Sequence, residues 1–149
     1  MRRIRPLVCI VCLTAALTVP TERASAGASG DMIREVNKVR SHHGLPPLRR
    51  SPSLLRSSGW FSYRLMATNR LAHAPRVSAS RRFRRLGEVL ALHGGYNLRI
   101  RATVQTWVRS PAHRAVILTR SMGLVGASAT RGRFGRSPGT IWVLQTGRR

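Results

Sequence analysis

Carboxylates are what this 149-residue chain most lacks: Glu22, Asp31, Glu35 and Glu88 stand against 27 lysines and arginines. Glu88 is the only acid after residue 35, so hydrolysis by two carboxylates facing one another across a cleft has no second partner. Cysteine is almost absent, and both copies, Cys9 and Cys12, fall in the N-terminal segment. The remainder has no disulfide, no thiol nucleophile and no cysteine metal ligand. The longest apolar run, Leu7 to Val19, is about 13 residues, short of the roughly 20 that span a hydrocarbon core. There is no G-x-S-x-G elbow, phosphate-binding glycine loop, dinucleotide fingerprint, H-E-x-x-H pair or groove-reading motif. No repeat or low-complexity block divides the chain.

The N-terminus has a basic M-R-R-I-R-P, then the apolar run, then Ala24-Ser25-Ala26 as a small-residue cleavage site. This order reads as a secretory signal peptide over residues 1–26, with an uncleaved anchor as the alternative. Residues 27–149 then form a single domain of suitable length for one core, and the protein is expected outside the cell. Removing residues 1–26 lowers the formal charge from +23 to +20, and Lys38 is the single lysine. A high-GC coding sequence would write arginine for lysine in this way. A field of that strength also attracts polyanions such as cell-envelope polymers, anionic lipid headgroups or nucleic acid, whatever its origin.

Asp31 is placed to cap a helix running to about His43, with Met32, Ile33, Val36 and Val39 on its apolar side and Gly44 as its stop. The L-P-P-L stretch then enforces an extended connector. Ser51 followed by Pro52 predicts a second helix to about Asn69, burying Leu54, Leu55, Trp60, Phe61, Leu65 and Met66 and delivering His73 on the loop behind it. Ser78 or Ser80 starts a predicted short basic helix through Arg85, closed by Gly87. Glu88 to Leu92 reads as a brief apolar strand or extended piece turned by Gly94-Gly95, with His93 a turn residue and His42 and His43 facing solvent. Leu98 to Val108 is helical again, and Ser110-Pro111 restarts a helix. Gly123–Ala129 and Ile141–Gln145 read as strands separated by an R-G-R-F-G-R-S-P-G loop. Helices first and strands last suggest an α+β domain, with helices packed on a small antiparallel sheet. Trp60, Phe61, Trp107 and Trp142 fall at predicted core positions, and Trp107 also at the rim of a cleft.

In order along the chain, the pieces I-R-E-V-N-K-V-R-S-H-H-G-L-P-P-L, S-P-S-L-L-R-S-S-G-W, L-A-H-A, L-G-E-V-L-A, W-V-R-S-P-A-H-R-A-V-I-L, G-L-V-G-A-S-A and I-W-V-L-Q resemble the bacterial branch of the CAP superfamily. That superfamily comprises the cysteine-rich secretory, antigen 5 and pathogenesis-related proteins, and its domain is also called SCP. The likeness covers residues 31–147. It implies an α-β-α sandwich with a cleft where family His and Glu side chains gather. Position by position, His73 matches the histidine after the second helix, Glu88 the glutamate of the family G-E-N motif, and His113 the histidine of the bacterial S-P-G-H-R-A-N segment. Three positions depart from the pattern. Val89 replaces the asparagine, Ser110 lies near the place of the second acid of eukaryotic members, and W-V-L-Q replaces aromatic-T-Q. The four-residue His/Glu cluster of eukaryotic members is therefore incomplete.

The resulting cleft cluster is His73, Glu88 and His113, with Trp107 and Ser110 at its rim. Two imidazoles and a carboxylate are adequate ligands for a divalent cation such as zinc, with one position left for water; the competing reading has the histidines hydrogen-bonding Glu88 to lock a loop to the sheet. Ser110 suits a helix cap better than a nucleophile. The leading expectation is a secreted, non-catalytic CAP domain that requires no cofactor, holding a small ligand in its cleft and an anionic envelope polymer or lipid on its arginine surface. The alternatives are a metal-dependent hydrolase built on His73, His113 and Glu88, and a cationic polyanion- or membrane-binding protein.

Overall fold

A computed structural model describes residues 21–149. The apolar run of the signal-peptide reading lies outside them. The elements are α1 (Thr21–His42), β1 (Arg49–Arg50), α2 (Pro52–Ala67), β2 (Arg85–Gly94), α3 (Ile100–Arg109), α4 (Pro111–Leu118), β3 (Leu124–Phe134) and β4 (Ser137–Arg148). The four strands form one sheet in the order β1-β3-β4-β2. Strand β4 is antiparallel to both β2 and β3, whereas the two-residue β1 runs parallel to β3. The sheet is thus mixed and not purely antiparallel, because the connector after L-P-P-L passes alongside β3 for two residues.

Alternation along the strands distributes apolar side chains between two layers. Val89, Val125, Ala127, Trp142 and Leu144 face a core built with Met32, Ile33 and Val36 of α1, Val104 and Trp107 of α3, and Ile117 of α4. Leu90, Ile141 and Val143 face the opposite way, onto Phe61, Leu65 and Met66 of α2. Central β4 is therefore buried on both sides, and the domain is an α-β-α sandwich with α2 alone on one face. Helix α2 lies very close to β3. A Cβ on Gly126 would land within the Leu54–Leu55 peptide, so glycine is the only residue that admits the helix there. Along the same seam the Ser58 hydroxyl donates to Ser128 Oγ at 3.2 Å, and the Ser62 and Thr130 hydroxyls are 2.8 Å apart.

Ser51 and Pro52 start α2 as predicted, with the Ser51 Oγ accepting the Leu54 N–H at 3.4 Å. Other expectations are corrected. Helix α1 is already helical at Thr21, the first described residue, so Asp31 is interior and pairs with Arg34 one turn on. The additional turns are held by tertiary contacts: Ala28 and Ser29 are buried, and the Ser29 hydroxyl donates to the Ala127 carbonyl at 2.5 Å. No helix forms over residues 78–85. Ser80 instead organises a single turn, its Oγ accepting from Arg82 N and its carbonyl from Phe83 N, and Arg85 is captured as the first β2 residue opposite Arg148. Gly87 lies within that strand, where a Cβ would meet Val116 of α4 at 2.8 Å. The expected loop between the last two strands is itself strand: Phe134 pairs with Ser137 across a two-residue turn in which Gly135 takes φ +61°.

Candidate functional site

Glu88 sits on β2, the edge strand, directly opposite Gln145 of β4. By alternation Glu88 shares the α2 face with Leu90, and Gln145 shares it with Val143. A carboxylate in that position needs hydrogen bonds to offset its lost hydration, and it has three. Oε1 lies 3.1 Å from His73 Nδ1 and accepts the Ala74 N–H at 3.1 Å, while Oε2 accepts from Gln145 Nε2 at 2.8 Å. Its side chain is 6% exposed, whereas that of His73 is 57% exposed. The carboxylate therefore pins the loop after α2 to the sheet at residues 73 and 74.

His113 stands in the first turn of α4, in the layer on the opposite face. Burial, and then the nearby His73, lower its pKa below the usual 6.5, and its Nδ1 is buried without a partner. Helix α4 thus brings His113 near His73 at the edge of the sheet, with no hydrogen bond between His113 and Glu88 among the described residues. Among those residues no group of three His, Cys, Asp or Glu side chains is disposed to hold a metal. Ser110 occupies the junction of α3 and α4: its N–H closes α3 onto the Thr106 and Trp107 carbonyls, and it takes the N-cap position of α4 without a side-chain cap bond.

Two aromatic assignments change. Trp107 is 1% exposed and belongs to the core, its indole N–H donating to the Leu90 carbonyl at 2.8 Å and covering the outer edge of β2; it is not a rim residue. Trp60, expected in the core, is 53% exposed, because the face of α2 that meets the sheet runs through Leu54, Ser58, Phe61, Ser62 and Leu65. The Arg64 guanidinium lies over its ring, 5.3 Å from the centroid. His93 is a strand residue and not a turn residue: its Nε2 is 2.6 Å from Thr103 Oγ1, and burial followed by Arg99 lowers its pKa.

The residue that sequence reasoning passed over is Gln145. It was visible only as the end of W-V-L-Q, and the signal that could have revealed it is the cross-strand register with Glu88. Gln145 is 1% exposed. Its amide is oriented by chemistry, since only the NH2 end can donate to the carboxylate. That leaves Oε1 buried and without a partner.

Beside this pin, a seam between α2 and residues 70–80 opens as three adjoining cavities. One of about 160 Å³ is lined by Phe61, Arg64, Leu65, Arg70 and His73. A narrow slot of about 60 Å³ lies between Ser57, Trp60, Arg64, Arg76 and Gln145. A wider one of about 320 Å³ lies between Arg56, Ser57, Trp60, Ser78 and Ser80.

A three-layer domain with a His–Glu pair at the edge strand defines the class as that of SCP-type sandwiches. The chain belongs to the cysteine-rich secretory protein family, CAP, which it matches over residues 33–146. No curated protein is significantly similar in sequence. Among solved structures it resembles an outer surface protein of Borrelia burgdorferi (20% identity, TM-score 0.64, 80% of this chain and 93% of that one). It also resembles an extracellular SCP-domain protein of Bacillus anthracis (18%, 0.68, 91% and 45%) and a cysteine-rich secretory protein of Staphylococcus aureus (13%, 0.62, 87% and 40%). The chain thus spans less than half of the latter two proteins.

Proposed function

We propose that this chain is a secreted, non-catalytic binding module acting at or outside the cell envelope, with its ligand in the seam beside Glu88 and its arginine surface attracting anionic polymer. The observation that carries this reading is the state of Glu88. Both carboxylate oxygens are occupied and the side chain is nearly closed off, which suits a loop anchor and not a base that must reach substrate. The outer-surface and extracellular descriptions of the Borrelia and Bacillus proteins support the location. Cleavage after Ala26 would retain the buried Ala28 and Ser29.

A second reading, a divalent-cation site, is favoured by one feature: the unpartnered His113 Nδ1 close to His73. His73, His113 and Glu88 would be its ligands, and the Glu88 carboxylate would have to exchange present hydrogen bonds for the metal.

Thermal melts of wild type, Glu88→Gln and His73→Ala, each with and without zinc, separate the two. Whichever way the introduced amide turns, at least one present donor, Ala74 N–H or the Gln145 NH2, would face an NH2 group, so Glu88→Gln is expected to cost about 1–3 kcal/mol, with zinc changing the wild-type melting temperature little. Zinc that raises the wild-type melting temperature but not that of His73→Ala would establish the metal site instead.

A further inference from the structure

Four arginines meet at one end of the sheet, away from the Glu88 seam. Arg49 and Arg50 make up β1, Arg148 is the last residue of β4 and Arg149 follows it, and all four line a single cavity of about 390 Å³. The two pairs are remote in sequence and are joined by register. Arg49 lies beside Leu124, which lies beside Gly147, and Arg50 lies beside Val125, which lies beside Thr146. Backbone bonds tie the row together: the Arg49 N–H donates to the Gly123 carbonyl at 2.9 Å, and the Gly123 N–H to the Gly147 carbonyl at 3.2 Å.

All four arginines are exposed, so their guanidiniums are within reach of a ligand. None has a carboxylate of the described residues within ion-pair distance, since the acids there pair with Arg34, Lys38 and His73. The Arg149 guanidinium lies over the Phe83 ring, 5.8 Å from its centroid; that contact takes one face of the planar group and leaves its N–H edge, the part that bonds an oxyanion. Ser51 and Pro52, the cap and first residue of α2, also line the cavity, which puts the positive end of that helix dipole at its wall. Gly123 lies in the lining between the two arginine strands. Its φ is outside the left-handed range, and a Cβ built on it would meet nothing within 4 Å. The peptide there is bare, with open space above it.

The lining also restricts what the ligand can be. It has no aromatic ring and one large apolar side chain, Leu124, so a nucleobase has nothing to stack on and an acyl chain little to cover it. Charge is what the cavity offers. A planar carboxylate is matched by one guanidinium fork, whereas the tetrahedral oxygens of a phosphate accept from several. Four guanidiniums around one cavity exceed the needs of a single phosphate and suit two or more in succession.

We infer that the cavity between β1 and the end of β4 binds a chain of adjacent phosphate groups, flanked by Arg49 and Arg50 on one side and by Arg148 and Arg149 on the other, over the Gly123 peptide. This rests on the reading of the arginine surface as an attractor of anionic polymer, and it gives that polymer a chemical class and a place.

Calorimetric titration of inorganic tripolyphosphate into the secreted protein at about 0.15 M salt, where screening shortens to about 8 Å, separates a built site from the overall field. One saturable site is expected, with inorganic phosphate at least about tenfold weaker because it engages fewer forks. Arg50→Gln combined with Arg148→Gln should weaken tripolyphosphate by at least about tenfold. The matched control, Arg131→Gln combined with Arg136→Gln, removes the same charge from exposed positions toward the other end of the β3–β4 hairpin, roughly 20 Å or more along the strands, and should change binding by less than about twofold. Gly123→Leu keeps the charge and fills the open space, and should weaken tripolyphosphate by about tenfold by displacing it from the guanidiniums. A ligand-free melting temperature equal to that of wild type shows that each variant is folded; should Gly123→Leu melt early, the two arginine pairs decide. A phosphodiester-linked glycerol phosphate oligomer, titrated in the same way, identifies the source: affinity comparable to tripolyphosphate assigns the site to a phosphodiester backbone, and binding of tripolyphosphate alone assigns it to a phosphoanhydride.

Three results would overturn the inference: no saturable binding of tripolyphosphate, equal loss in the two arginine pairs, or full affinity in a folded Gly123→Leu. Equal loss in the two pairs would remove the site and leave the general attraction of the arginine surface standing. Site-specific tripolyphosphate binding by a protein that phosphatidylglycerol vesicles fail to retain even at low salt would do the reverse.

Discussion

At the scale of single residues, the informative side chains are polar ones inside an otherwise apolar domain. Glu88 has three hydrogen-bond partners shared between its two oxygens, the Gln145 amide donates to it while its oxygen has no partner among the described residues, and His93 is held against Thr103 with its pKa lowered by burial and by Arg99. The consequence for His93 has a definite sign. In the unfolded chain an imidazole takes up a proton near pH 6.5, whereas the native one resists it. Below that pH the unfolded state binds more protons, and stability falls until the lower native pKa is reached. The contribution is therefore fully present above about pH 6.5 and is lost on acidification. His93→Gln keeps a hydrogen-bonding end next to Thr103 but does not titrate. Thermal melts from about pH 8 to about pH 5 should show a shallower acid decline for it than for wild type. Parallel curves would mean that His93 is not a source of the acid sensitivity.

At the scale of elements, helix ends decide how the layers meet. Helix α4 has eight residues, too few to be stable alone, and its C-terminal carbonyls are met by a side chain from another helix. Arg40, in the last turn of α1, is fully buried, donating to the Ile117 carbonyl at 2.6 Å, to Thr119 at 3.1 Å, to Met122 at 3.4 Å and to Pro46 at 3.0 Å. Its positive charge also lies at the negative end of the α4 dipole. Burial, with Arg120 nearby, lowers its pKa from the ordinary arginine value. Arg40→Met preserves much of the volume but orphans these carbonyls, and should cost about 3 kcal/mol in urea unfolding. Amide exchange in α4 should quicken at the same time, because His113 and Val116 depend on that anchor. An unchanged unfolding midpoint would show that water replaces the guanidinium without loss.

At the scale of the whole molecule, the dominant property is a formal charge of +23 over 149 residues. Three ion pairs engage the acids after residue 26, and each joins its acid to a single side chain: Asp31 to Arg34, Glu35 to Lys38 and Glu88 to His73. Nearly all of the arginine charge therefore stays uncompensated within the described residues. Retention on vesicles containing phosphatidylglycerol should fall steeply as salt is added, since screening shortens to about 8 Å near physiological ionic strength. Co-sedimentation at rising sodium chloride measures this. Binding that survives high salt would place the contact in a specific pocket and not in the overall field.

How much of this was legible beforehand follows from the range of each interaction. Ser51-Pro52, Ser110-Pro111 and the apolar spacing of α1 to α3 act within a few residues, so the sequence alone set those helices, the strand at Glu88 and, by resemblance, the CAP sandwich. The His73–Glu88 pair was also anticipated, because a lone carboxylate among apolar residues needs a partner wherever it folds. What only the tertiary structure decided depends on neighbours remote in sequence. The turns of α1 ahead of Asp31 depend on Ser29 reaching Ala127; the fate of residues 78–85 depends on Arg85 pairing with Arg148; the exposure of Trp60 depends on which face of α2 meets Gly126. The pairing of Glu88 with Gln145 depends on register, which a one-residue slip would invert. Local chemistry chose the elements, and the packing of distant segments against the sheet chose which buried polar atoms found partners among the described residues and which did not.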